Sequence, residues 1–133
     1  MDRLFLDANV LFSAAYKADA HVGRLWQLKD ALLFTSRYAL EEARFNLEEE
    51  VQNSRLVKLS RELQFAEAGN RNLPRGIQLP DKDAPILLAA IEAKANYLLT
   101  GDIRHFGPYL GKKIEGVRIL LPAEYLRFRD HAR

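Results

Sequence analysis

The sequence predicts an α/β protein, a three-layer α/β/α fold in which a central, mostly parallel sheet of four or five strands lies between helices. Short apolar runs, typical of strands that are buried on both faces, alternate along the chain with segments of helical periodicity. Hydrophobic residues make up 48% of the chain and charged residues 29%, as in folded globular proteins. The length of 133 residues is typical of one domain, so we expect residues 1–133 to form a single domain.

The first half of the chain alternates strands with helices. Ser36 is a good N-cap, and Ala39, Ala43 and Leu47 follow at four-residue intervals, which predicts an amphipathic helix. Short apolar runs predict the strands, and apolar residues at helical spacing predict the other helices. The predicted order is strand 3–6, helix 9–16, helix 22–29, strand 31–35, helix 36–47, and helical character over 48–68.

The second half begins with a connection, residues 69–80, that is rich in glycine, proline and asparagine and has room for a short strand at 77–79. The helix predicted after it is apolar nearly all round, so we expect it to be deeply buried. The remaining predicted elements are helix 85–95, strand 96–100, short helix 104–110, strand 117–121 and helix 122–129.

Composition excludes several classes of protein. The chain has no cysteine, which excludes disulfides and thiolate metal sites. No apolar run approaches the ~20 residues that span a bilayer, and the apolar stretch at the start is too short for a signal peptide. We therefore expect no membrane association and a cytoplasmic location. The net charge of +2 and the pI near 9.0 permit a nucleic-acid partner without requiring one.

Acidic residues follow the predicted strands. In parallel α/β sheets, ligands bind beyond the carboxyl ends of the strands. Asp7 comes directly after the first strand and Asp102 just after strand 96–100, so both should lie at this edge. They become neighbours if those two strands are adjacent. Glu41 and Glu42, in the helix that leaves strand 31–35, can lean towards the same edge.

Two further acids, Asp81 and Asp83, precede helix 85–95. Either can act as a helix cap. Because this helix leads back to a strand, we expect its start to lie at the opposite edge of the sheet. The connection over 69–80 is long enough to carry the helix start to the acidic edge instead.

Clustered carboxylates repel one another, and a cation between them makes their closeness tolerable. Ligation by oxygen alone suits Mg²⁺ or Mn²⁺ rather than zinc. Such a site polarises a phosphoryl oxygen and activates water, so the predicted reaction is hydrolysis of a phosphodiester.

Four motifs resemble those of the PIN-domain family, and they occur in family order over residues 4–106. They are Leu6–Leu11 (LDANVL), Ser36 with Glu42 six residues later, Asp83–Ala90 (DAPILLAA), and Leu99–Asp102 (LTGD) followed by His105-Phe106. The resemblance implies a Mg²⁺- or Mn²⁺-dependent endoribonuclease whose catalytic metal ligands are Asp7, Glu42, Asp83 and Asp102. The resemblance favours Glu42 over Glu41 and Asp83 over Asp81. It also implies that Asp83 lies at the same edge of the sheet as Asp7 and Asp102.

The resemblance also implies partners. Small stand-alone members are often toxins of the VapC kind, each neutralised by an antitoxin protein and often dimeric. We therefore expect an RNA substrate, a cognate antitoxin and a homodimer.

Four residues near the acids are candidates for substrate binding. Asn9 either caps the following helix or hydrogen-bonds the acids, and Thr100 either donates its hydroxyl to the site or ends its strand. Arg37 and Arg104 either bind RNA phosphates or are solvated charges. For His105, packing or a surface position is favoured over a functional role.

Two other functions compete with the nuclease. A catalytically inactive PIN-fold module would bind RNA or protein, and metal titration would distinguish it because such a module need not take up Mn²⁺. A phosphatase of the haloacid dehalogenase type also begins with a strand and an aspartate, but it requires D-x-D, and position 9 here is asparagine.

Overall fold

Six strands form one sheet in the computed structural model, which describes residues 1–131. The strands are β1 (Asp2–Leu6), β2 (Ala31–Thr35), β3 (Gln64–Phe65), β4 (Tyr97–Leu99), β5 (Lys113–Ile114) and β6 (Val117–Leu120). The helices are α1 (Ala8–Tyr16), α2 (Arg37–Asn46), α3 (Glu50–Ser60), α4 (Ala84–Glu92), α5 (Ile103–Phe106) and α6 (Pro122–His131), with 3-10 turns at His21–Gln27 and Gly107–Tyr109.

The strand order is β3-β2-β1-β4-β6-β5, and every pair is parallel except β5 with β6. This confirms the predicted α/β fold class with its mostly parallel sheet. The sheet has six strands rather than four or five because β3 and β5 add a short strand at each edge. Two residues are too few to give a strand pattern in the sequence, so neither was predicted.

The centre of the sheet is the most deeply buried part of the fold. Leu4, Phe5 and Leu6 of β1 are fully buried, as are Leu98 and Leu99 of β4. Helices cover both faces, so every position of these strands faces apolar neighbours and the strands are continuously apolar. Strand β1 pairs directly with β4, which makes the residues that follow the two strands neighbours.

Three predicted segments differ from the structure. The helix predicted over 48–68 is too long, because α3 ends at Ser60. The chain then adds β3 to the edge of the sheet, and just after it the Ala66 amide donates to the Thr35 carbonyl at 3.0 Å. The short strand at 77–79 was wrong, since this segment has no regular structure. The helix predicted over 22–29 is a 3-10 helix. Within residues 1–131, no helix has the length and apolar character that crossing a membrane requires.

Candidate active site

Asp7 lies at the carboxyl end of β1, where the strand turns into α1. Its backbone amide still donates to the Leu99 carbonyl of β4, at 3.1 Å. Its side chain caps α1 by accepting from the Ala8 amide at 2.6 Å, and Oδ2 accepts from the Thr100 hydroxyl at 2.7 Å. The residue is only 3% exposed. A carboxylate is therefore held firmly at the central edge of the sheet.

Burial raises the pKa of Asp7 from 3.8 to about 6. The hydrogen bonds from Thr100 and Ala8 lower it, whereas the negative charges of Asp83 and Glu42 raise it further. The charges of Asp83 and Glu42 therefore act on Asp7, although the three acids come from separate parts of the chain. Bringing a cation there would relieve both the burial penalty and the repulsion.

Asp102 and His105 belong to one turn at the end of β4. Asp102 caps α5, because its Oδ1 accepts from the His105 amide at 3.1 Å. Its Oδ2 lies 2.8 Å from His105 Nδ1. Partial burial raises the pKa of Asp102, but the hydrogen bonds from His105 and the positive charges of His105 and Lys82 outweigh burial and hold the pKa below its usual value.

Asp83 precedes α4 and lies at the same edge as Asp102, with Oδ2 3.2 Å from His105 Nδ1. The helix start predicted at the opposite edge of the sheet therefore lies at the same edge as Asp102, and that prediction was wrong. A helix that leads into a parallel strand runs antiparallel to that strand, so it begins where the strand ends. The far end of α4 shows this direction, because the Ala93 carbonyl accepts from the Arg3 guanidinium, at the start of β1, at 2.6 Å.

Asp83 is 7% exposed and its Oδ2 receives no well-aligned hydrogen bond from any residue of the described chain. Burial raises its pKa, as does the charge of Asp102, while His105 and Lys82 act in the opposite direction. Asp81, the alternative two residues earlier, is an exposed residue of the preceding turn. Of the two acids, Asp83 is the one that lies among the buried polar groups.

Glu41 and Glu42, neighbours in α2, interact with different residues. Glu41 forms an ion pair with Arg44, Nη2 to Oε2 2.9 Å, on the exposed side of α2. Glu42 is also exposed, but its charge raises the pKa of both Asp7 and Tyr38, so it lies close enough to act on them. It also borders a hollow shared with Ala8 and Asn9.

Asn9 and Thr100 support Asp7. Asp7 itself caps α1, so of the two roles considered for Asn9 the structure shows the hydrogen bond to the acids: its Nδ2 donates to Asp7 Oδ2 at 3.2 Å. Asn9 Oδ1 accepts from the Gly101 amide at 2.7 Å. A side chain at position 101 would lie 3.3 Å from that oxygen, so this close approach favours glycine. The Thr100 hydroxyl also accepts from the Asp102 amide, at 3.0 Å, which links Asp7 to Asp102.

Arg37 and Arg104 are both exposed. The Arg37 guanidinium lies over the ring of Phe65, 5.4 Å from its centroid, and the Arg37 amide donates to the Glu67 carboxylate. Arg104 lies in the turn between Asp102 and His105. Both residues are therefore accessible from solvent.

Sequence reasoning missed two side chains of the site. His105 was predicted to be a packing or surface residue, but it lies against both Asp83 and Asp102. Its sequence signals were its place in the fourth motif and its position three residues after Asp102, which puts both in one helical turn. The Tyr38 hydroxyl donates to the Lys82 carbonyl at 2.7 Å, which ties α2 to the turn that presents Asp83. Burial raises the pKa of Tyr38, and the charges of Glu42, Asp83 and Asp7 raise it further. No pattern near Tyr38 indicated this contact.

The donor set fits a hard divalent cation. Asp83, Asp102 and His105 each place one ligand atom within 4.8 Å of the others. Asp7 and Glu42 add negative charge beside them. A buried carboxylate oxygen without a hydrogen bond is costly unless a cation or water reaches it, and oxygen-rich sites suit Mg²⁺ or Mn²⁺.

Fold and site together define an α/β protein with an acidic candidate metal centre at the carboxyl edge of its parallel sheet. Residues 3–104 match the model of the PIN-domain family, and the chain belongs to that family. Its members are generally nucleases that use divalent metal ions.

A solved structure supports the fold assignment. This chain is similar to a chain in the crystal structure of VapBC2 from Rickettsia felis bound to a DNA fragment from its promoter. The sequence identity is 17% and the TM-score 0.62, and the match covers 88% of this chain and 96% of that one. No curated protein matches this chain significantly.

Proposed function

We propose that this chain is a Mg²⁺- or Mn²⁺-dependent endoribonuclease, a hydrolase acting on RNA phosphodiester bonds, formed by residues 1–133 as one domain. The observation that carries the proposal is the buried Oδ2 of Asp83. It lacks a hydrogen bond from the described residues and lies beside Asp102 and near Asp7. Carboxylates gathered this way at the ligand-binding edge of a parallel sheet suit a divalent ion and an anionic substrate.

In this proposal Asp7, Glu42, Asp83 and Asp102 hold the metal. The ion, when bound, polarises a phosphoryl oxygen and lowers the pKa of water. Asp7, Asp83 and Asp102 lie deepest and define the floor of the site, whereas the exposed Glu42 closes it from α2. An exposed carboxylate is suited to orient the attacking water through a hydrogen bond and to take up its proton.

The remaining residues position the acids and the substrate. Thr100 and Asn9 hold Asp7 in one orientation through hydrogen bonds to its Oδ2. Arg37 and Arg104, exposed at this edge, bind phosphates of the RNA strand, which guanidinium groups do well because they form paired hydrogen bonds.

The proposed activity includes a cellular role and protein partners. The chain acts in the cytoplasm as the toxin of a type II toxin-antitoxin pair, is inhibited by an antitoxin protein, and forms a homodimer. The likeness of its fold to a chain of VapBC2 supports an antitoxin partner. An inactive binding module is not favoured, because such a module would have no need to retain the whole acid set.

The test is cleavage of RNA in Mn²⁺ by the wild type, Asp83→Asn and Asp81→Asn. Both variants remove one carboxylate from the same turn, but Asp83 is buried and Asp81 is exposed. We expect Asp83→Asn to lower the cleavage rate by at least about 100-fold, since metal sites are sensitive to the loss of single groups. Asp81→Asn should cleave at the wild-type rate.

Chelation by EDTA should abolish cleavage, and Mn²⁺ or Mg²⁺ should restore it. The proposal is overturned if the wild type leaves RNA intact in both metals, or if Asp83→Asn cleaves as fast as Asp81→Asn. Circular dichroism of each variant would show that a slow variant is folded.

A further inference from the structure

Three potential ligand atoms from two elements meet beside the buried end of Asp83. His105 Nδ1 lies 2.8 Å from Asp102 Oδ2 and 3.2 Å from Asp83 Oδ2. Asp83 precedes α4, whereas Asp102 and His105 belong to the single turn of α5. The fold therefore places an imidazole nitrogen between two carboxylates that are 19 residues apart in the chain.

Hydrogen bonding alone leaves this arrangement incomplete. A ring nitrogen carries at most one proton, so His105 Nδ1 can donate to only one of the two carboxylates, and Asp102 Oδ2 is the nearer oxygen. Asp83 Oδ2 is consequently left, among the described residues, without an aligned donor although it is buried. A cation shared by the three atoms would satisfy all of them at once.

The two separations measured from His105 Nδ1 are compatible with a shared ion. Adjacent ligands about 2.1 Å from an octahedral ion lie about 3.0 Å apart. The two separations measured from Nδ1, 2.8 and 3.2 Å, fall on either side of that value. Ligation by Nδ1 requires its lone pair, so the ring proton would then reside on Nε2.

The His105 ring is also well fixed. Its amide donates to Asp102 Oδ1 at 3.1 Å, and the next residue, Phe106, is fully buried and anchors the turn. The side chain is 22% exposed, so most of the ring is enclosed by the protein. A ligand held in this way loses little conformational freedom when an ion binds.

We propose that His105 Nδ1 is a direct ligand of the divalent ion held by Asp83 and Asp102, and that it makes the site prefer Mn²⁺ to Mg²⁺. This inference rests on the proposed function, which supplies the ion. Imidazole nitrogen suits transition metals, whereas Mg²⁺ favours oxygen ligands. His105 is therefore a residue that sets metal specificity.

The test measures metal binding without RNA, in a His21→Gln/His131→Gln background that removes the other two histidines of the chain. In that background, titration calorimetry gives the Kd for Mn²⁺ and for Mg²⁺ with His105 present and with His105→Asn or His105→Gln. Electron spin-echo spectroscopy of bound Mn²⁺ reports a directly coordinated nitrogen. Circular dichroism confirms that each variant is folded.

We expect the loss of His105 to weaken Mn²⁺ binding by at least about tenfold and Mg²⁺ binding by less. The Kd for Mg²⁺ divided by the Kd for Mn²⁺ should therefore fall. The nitrogen coupling should disappear in both variants. An equal loss of affinity for both metals, or a spectrum without a coordinated nitrogen while His105 is present, would overturn the inference and leave His105 as a positioning residue.

RNA cleavage by the same proteins separates the two proposals. If Mn²⁺ binds through His105 but RNA is not cut, the ligand assignment stands and the ribonuclease proposal fails. A second outcome is that RNA is cut and Asp83→Asn abolishes cutting, but the His105 variants keep the wild-type metal preference. The ribonuclease proposal then stands and the ligand assignment fails. If the wild type binds neither metal, both are wrong.

Discussion

Replacing Asp7 by asparagine isolates the cost of keeping a charged carboxylate inside the metal-free site. Burial raises the pKa of Asp7 from 3.8 to about 6, so the folded protein binds this proton more tightly than the unfolded chain does. The folded state is therefore penalised as pH rises. The penalty is absent below about pH 3.8, grows between the two pKa values and is complete above about pH 6.

The size of the penalty follows from the two pKa values. The difference of about two pKa units corresponds to about 3 kcal/mol at neutral pH, and Asp7 is too buried for solvent to reduce it much. Asparagine removes this cost, but its amide group would face Asn9 Nδ2, which now donates to Asp7 Oδ2. That mismatch costs about 1 to 2 kcal/mol at every pH.

We therefore expect Asp7→Asn to be more stable than the wild type by about 1 kcal/mol at pH 7.5 in EDTA, and to lose that advantage at pH 4.5. The assay is urea unfolding followed by the fluorescence of Trp26, the single tryptophan. The difference between the variants in free energy of unfolding should change by about 2 kcal/mol between the two pH values.

Asp81→Asn is the matched control, because it removes the same charge from an exposed position near the site. Any pH-dependent gain that this control shares reflects net charge rather than burial. The reasoning is refuted if the difference between Asp7→Asn and the wild type is the same at both pH values.

Two further substitutions test the neighbours of Asp7. We expect Glu42→Gln to weaken Mn²⁺ binding by about tenfold in calorimetry. Glu41→Gln is the control and should leave Mn²⁺ binding unchanged, because Glu41 pairs with Arg44. Equal effects of the two substitutions would argue against Glu42 as the ligand. Thr100→Val removes the hydrogen bond that lowers the pKa of Asp7, so that pKa should rise further, as measured by NMR titration, and stability at pH 7.5 should fall by about 1 to 2 kcal/mol. An unchanged or lower pKa would contradict the assigned role of Thr100.

The strands show where sequence reasoning succeeds. The bounds predicted for β2, residues 31–35, are those of the structure, because a strand buried on both faces is a continuous apolar run bounded by polar residues. β3 has no such signal. Its two residues are exposed, and they form a strand only because the edge of β2 offers backbone hydrogen bonds.

The site shows the same division. Asp7 and Asp102 were placed at one edge correctly, because each directly follows a strand and parallel strands end on the same side. Asp83 was placed wrongly by our reading of helix direction and correctly only by family resemblance. His105 was considered but assigned to packing or the surface, because its contact with Asp83 joins residues more than 20 positions apart in the chain.

Local patterns of apolar and charged residues were enough to predict the layered fold, the alternation of strands with helices, and the acids that follow strand ends. The three-dimensional arrangement was needed to separate the buried Asp83 from the exposed Asp81, and to place an imidazole nitrogen beside two carboxylates. Those facts depend on the direction of each helix and on the rotation of its side chains. Both are fixed by packing against distant parts of the chain, which no local pattern records.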